Sequence, residues 1–240
     1  SSVETIKKLV EDARKKLEDS IRKIEKLVRD VEKTLRDSLK RIRDLVEKVV
    51  RTLRELLREP KTEELLRRTR KLVREVLERL KKINKEVLDI LKKVLEDLER
   101  IDKEVLDLLR DIIKKLEDMN QVDEKVIRRL RRLAEEIEKR VEDINRESRK
   151  KADDIRRKVE EINERSDRAA KEVEDEARRN DSDLEELVKR ITDILREHVK
   201  MHEDLIRAIA KVLRDHVEAH KRLIKRITEI LEEVVKAVTD

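Results

Sequence analysis

Apolar residues recur along this chain at helical spacing, and whole segments repeat after 18 residues. Ile83-Asn84-Lys85-Glu86-Val87-Leu88-Asp89 returns as Ile101-Asp102-Lys103-Glu104-Val105-Leu106-Asp107. Val141-Glu142-Asp143-Ile144-Asn145 returns as Val159-Glu160-Glu161-Ile162-Asn163, and Ser148 returns as Ser166. Eighteen residues are five whole turns of a straight α-helix, so equivalent residues share one face about 27 Å apart. A repeat of 3.6 residues per turn lies between the heptad and the 11-residue repeat, which predicts nearly straight helices with little supercoil. Composition agrees: there is no Gly, a single Pro and 52% charged residues, against about 7% Gly and about 25% charge in ordinary globular domains.

The pattern breaks near residues 60, 120 and 180. At Glu59-Pro60-Lys61-Thr62-Glu63 the proline ends one helix and Thr62 is a candidate N-cap for the next. At Asn120 a left-handed turn residue precedes Gln121-Val122-Asp123. At Asn180-Asp181-Ser182-Asp183 the asparagine is the expected terminator and Asp181 or Ser182 the expected cap. Helices are therefore expected over about 2–59, 62–119, 122–179 and 182–239. At roughly 57 residues each would run about 85 Å. Loops this short join antiparallel neighbours. The expected fold is all-α, a single up-down-up-down four-helix bundle spanning residues 1–240.

Absent cysteine removes disulfides, zinc–thiolate sites and thiol catalysis. No apolar run approaches the roughly 18 residues of a membrane span, and no signal peptide is recognisable, so a soluble chain with no membrane partner is expected. The net charge of +6 raises nucleic acid as a partner. It is spread as about +5, +2, +1 and −2 over the four sixty-residue quarters, acids and bases interleaved, and no aromatic residue can stack on a base. A solvated mixed-charge surface, without nucleic acid, is the better reading.

The only four histidines are His198 and His202, then His216 and His220. Each pair is spaced i, i+4, the pairs are 18 residues apart, and all four fall in the apolar seam of the last helix. Folding the numbering back at the three turns brings Ser38, Asn84 and Asn163 level with His198 and His202, to within about two residues. Ser20, Asp102 and Asn145 fall level with His216 and His220 in the same way. Ser148 and Ser166 lie about a turn off these layers, as accessory residues. A buried polar atom left unpaired costs a few kcal/mol, so two connected hydrogen-bond networks are expected.

In its architecture and its His/Asn/Ser layers, the whole chain resembles the de novo designed parametric helical bundles with buried hydrogen-bond networks, most closely the pH-responsive, histidine-bearing members. The likeness is one of style rather than of a sequence motif. It implies an oligomer or filament that opens or dissociates on acidification. Burial disfavours imidazolium, so the residues themselves also support a pH-sensing role. A broad apolar face on the last helix (Leu187/Leu205/Leu223, Val199/Val217/Val235, Met201/Ala219/Ala237) and a narrow one on the third suggest self-association. Rival readings are a metal- or porphyrin-binding bundle and a static building block whose polar layers serve only specificity. Against metal, Val199 and Val217 stand where a HExxH site has Glu. No catalytic residues, metal ligands, cofactor or small-molecule substrate are expected.

Overall fold

The computed structural model describes residues 2–179 and 183–240. It holds α1 (Ser2–Leu56), α2 (Glu63–Asp118), α3 (Glu124–Ala177) and α4 (Leu184–Thr239), packed as the expected up-down-up-down four-helix bundle. α1 stops three residues short of the expected end because Pro60 disfavours helical backbone in the residue before it. The last amides make one-turn bonds instead, Arg58 N to Glu55 O and Glu59 N to Leu56 O.

The caps follow ordinary helix-end chemistry. Thr62 Oγ1 accepts the Leu65 amide at 3.1 Å, and Asp123 Oδ1 accepts that of Lys125 at 3.0 Å. Asn120 takes the left-handed conformation with φ 53°. For α4, Asp183 Oδ1 accepts the Glu185 amide at 3.0 Å. The expected terminator Asn180 and the expected caps Asp181 and Ser182 lie outside the described residues. Replacing Thr62 by Ala orphans one amide of α2 and is expected to cost about 1 kcal/mol, measurable as a lower denaturant midpoint with unchanged slope.

The chain divides into two compact units, each built from all four helices. Unit 1 comprises Ser1–Asp30, Lys92–Lys151 and Lys211–Asp240. Unit 2 comprises Val31–Leu91 and Ala152–Ala210. Unit 1 packs Ile6, Leu17, Leu109, Leu116, Leu130 and Ile227 among others into its core. Unit 2 does the same with Ile42, Leu53, Leu65, Leu80, Ile191 and Leu195. No large hydrophobic side chain is exposed among the described residues. The broad face of α4 is largely taken up inside the chain: Leu187, Leu205, Leu223 and Val217 are buried, whereas Val199, Met201, Ala219 and Val235 are half-buried and Ala237 is exposed.

Candidate functional site: two buried histidine networks

All four histidines of α4 are core residues, none more than 3% exposed. Their helical spacing places them on the seam, where every imidazole nitrogen must find a partner inside the protein or remain unsatisfied. The two units solve this differently.

In unit 1 the centre is Asp102 on α2, fully buried at 0% exposure. Its Oδ2 lies 2.8 Å from His216 Nε2 and its Oδ1 lies 2.7 Å from His220 Nδ1. A carboxylate only accepts, so both imidazoles donate to it, and this assigns their tautomers. The opposite nitrogens then accept: His216 Nδ1 from Ser148 Oγ at 3.0 Å, and His220 Nε2 from Ser20 Oγ at 2.7 Å. The result is a chain of five side chains, Ser148–His216–Asp102–His220–Ser20, linking α3, α4, α2, α4 and α1. Burial pushes the Asp102 carboxyl upward, but the hydrogen bonds from His216 and His220 and their electrostatic attraction outweigh it, and its pKa is held below the usual carboxylate value.

Unit 2 has no carboxylate in its chain of hydrogen bonds. His202 Nδ1 lies 3.0 Å from Asn84 Oδ1 and its Nε2 lies 3.0 Å from Ser38 Oγ. His198 Nε2 is bonded to Ser166 Oγ. Ser38 Oγ donates to Leu35 O at 2.7 Å, and Ser166 Oγ donates to Ile162 O at 2.9 Å. Asn84 Oδ1 only accepts, so neutral His202 spends its one N–H on it from Nδ1, and Nε2 is left to accept from the Ser38 hydroxyl, which is shared between that nitrogen and Leu35 O. Ser166, its proton on Ile162 O, accepts from the His198 Nε2–H. Burial drives the His198 pKa down to about 4, with Lys81 lowering it further and Asp167 opposing. Burial likewise drives His202 down to about 4, the neighbouring His198 adding repulsion. Beside Ser166 and His198, a cleft of about 420 Å³ opens between α3 and α4, its walls mixing Ile162, Ala169, Ile194 and Met201 with the charged Arg165, Arg168, Glu172 and Glu197.

Of the residues singled out from the sequence, Ser20, Asp102, His216 and His220 meet in unit 1, and Ser38, Asn84 and His202 meet in unit 2. The α3 partners are Ser148 and Ser166, set down from the sequence only as accessory. Asn145 is buried, but the α3 bond to His216 comes from Ser148. Asn163 supplies no bond to His198, and its Oδ1 is the buried polar atom without a partner among the described residues. Counting Cα heights resolves a partner only to about a turn. Side chains lean towards their own helix N-terminus, so in the antiparallel α3/α4 pair the two leans run in opposite directions. The recurrence of Ser148 as Ser166 was the signal available to find them.

Among the described residues, no three His, Asp or Glu side chains are grouped as metal ligands, and no helix is long and apolar enough to cross a membrane. Each Asp102 oxygen is already held by a different imidazole. Comparison with protein-family models, curated proteins and solved structures gives no match.

Proposed function

We propose that this chain is a de novo designed structural protein whose buried histidine networks act as an acid-triggered switch. The carrying observation is that all four histidines are buried in the seam of α4, each bonded to polar side chains from other helices. Imidazole is the side chain whose unperturbed pKa puts its charge change near neutral pH. Protonating His198 or His202 puts a cation into a site whose hydrogen-bonding neighbours are Ser38, Asn84 and Ser166, none of them charged. Asp167 beside His198 is offset by Lys81. Composition supports the designed origin, since a glycine-free chain with an 18-residue repeat on α2, α3 and α4 is foreign to ordinary domains.

In this reading the chain assembles with copies of itself. Half-buried Ile162, Ile194 and Met201 beside the cleft support a contact surface, although the larger side chains of α4 are spent inside the chain. The proposal assigns no enzyme activity, cofactor, nucleic acid, membrane or small-molecule substrate. Light scattering and far-UV circular dichroism from pH 8 to 3, with and without a chelator, test it. A cooperative change in size or helicity on acidification, insensitive to chelator, is expected. Size and helicity that stay constant to pH 3 would overturn the switch, and a chelator effect at neutral pH would favour a metal-binding bundle.

A further inference from the structure

The geometry points to Ser20 as an activated nucleophile, a modification site for small electrophilic phosphonyl and acyl compounds. Its hydroxyl lies 2.7 Å from His220 Nε2, and His220 Nδ1 lies 2.7 Å from Asp102 Oδ1. This is nucleophile, base and orienting carboxylate in the order, and on the ring nitrogens, that acyl-transfer triads use. The carboxylate holds the proton on Nδ1, which leaves the Nε2 lone pair facing the serine.

Three further observations single out Ser20 among the four network serines. Ser38 and Ser166 are buried and engage their hydroxyl protons with backbone carbonyls of their own helices. Ser148 faces an imidazole acceptor but is buried. Ser20 makes no such backbone bond and is partly exposed on α1. It therefore combines a proton aimed at a base with access for a small reagent. Asp102 stays ionised well into the acid range, held there by two imidazole donors against the cost of burial.

With an alkyl fluorophosphonate the Ser20 Oγ–P bond forms as the P–F bond breaks. Fluoride leaves with the bonding pair, and the hydroxyl proton passes to His220 Nε2, from which solvent removes it. An activated ester would acylate the same oxygen, losing its phenolate. Turnover then stalls, because Ser20 sits mid-helix in α1 (Ser2–Leu56), where backbone amides are already bonded to the carbonyls four residues earlier and none remains to stabilise an oxyanion. The site is thus read as one of stoichiometric modification.

Incubation of the folded chain with a small alkyl fluorophosphonate, followed by intact-mass and peptide mapping, is the test. One phosphonyl group per chain on Ser20 is expected, absent from Ser20→Ala and from wild-type chain unfolded in guanidinium. Asp102→Asn keeps an acceptor for one imidazole and a donor for the other, so the fold has a way to survive it. The lost carboxylate should slow labelling by roughly 10²-fold or more, general-base assistance being worth about 10²–10⁴. Circular dichroism checks that this variant is folded, and His220→Gln replaces it otherwise. No adduct on Ser20, or equal labelling rates in the folded variant or in the unfolded chain, would overturn the assignment.

Discussion

Between pH 6.5 and 4 the folded chain is expected to lose about 6 kcal/mol of stability through His198 and His202 alone. Both have folded pKa values lowered from 6.5 to about 4. The unfolded chain therefore takes up protons first, and stability is complete above pH 6.5 and declines as pH falls towards 4. Each pH unit across that gap is worth about 1.4 kcal/mol per histidine, hence roughly 3 kcal/mol for each. His198 raises the cost of protonating His202, so the two should titrate as a coupled pair. Denaturant unfolding at half-unit pH steps measures the slope, and imidazole NMR titration follows each ring. Replacing both residues by Gln should flatten the curve over this window, and a slope that survives the double substitution would place the acid response elsewhere. Asp102 acts in a different window. Its folded pKa is depressed, so its contribution is present above its unfolded pKa near 3.8 and is lost only as pH falls further, through the folded value.

Asp102→Ala should be the most damaging single substitution in unit 1 at neutral pH. It removes the acceptor of two buried imidazole N–H groups at once and leaves a void at a position with 0% exposure. An orphaned buried donor costs about 1–3 kcal/mol, so the pair implies roughly 2–6 kcal/mol before the void is counted. Chemical denaturation at pH 7 would register this as a lower midpoint. Asn163→Ala makes an instructive contrast. It deletes an oxygen that has no partner on a half-buried side chain, so a smaller loss is expected. A larger loss for Asn163→Ala than for Asp102→Ala would mean that the unit 1 network is not the stabilising element described.

Much of the fold was legible because its causes are local. The 3.6-residue spacing of apolar positions, Pro60, the Thr62 cap and the left-handed Asn120 act within a turn or two of chain, and each stands where the sequence pointed. α1 ends three residues before the expected position, because the seam runs on through Leu56 and Leu57 while the constraint from Pro60 reaches back. The networks were only partly legible. Ser20, Ser38, Asn84 and Asp102 each lie within about two residues of one imidazole by height alone, whereas the second partner of Asp102, His216, stands about six residues off that level. Asn145 and Asn163 share the imidazole level, yet Ser148 and Ser166, about a turn away, make the contact. A hydrogen bond is decided by side-chain lean and rotamer over distances shorter than one helical turn.

By itself, the sequence determined the four helices, their antiparallel order and the seating of all four histidines in the apolar seam, because helix periodicity and turn chemistry are properties of near neighbours. Only the tertiary structure decided which nitrogen faces which oxygen. It assigned one carboxylate to two imidazoles in unit 1 and left unit 2 with serine and asparagine partners. That assignment separates a buried anion braced by two donors from a pair of buried bases that resist protonation, and it depends on atoms more than a hundred residues apart meeting at under 3 Å.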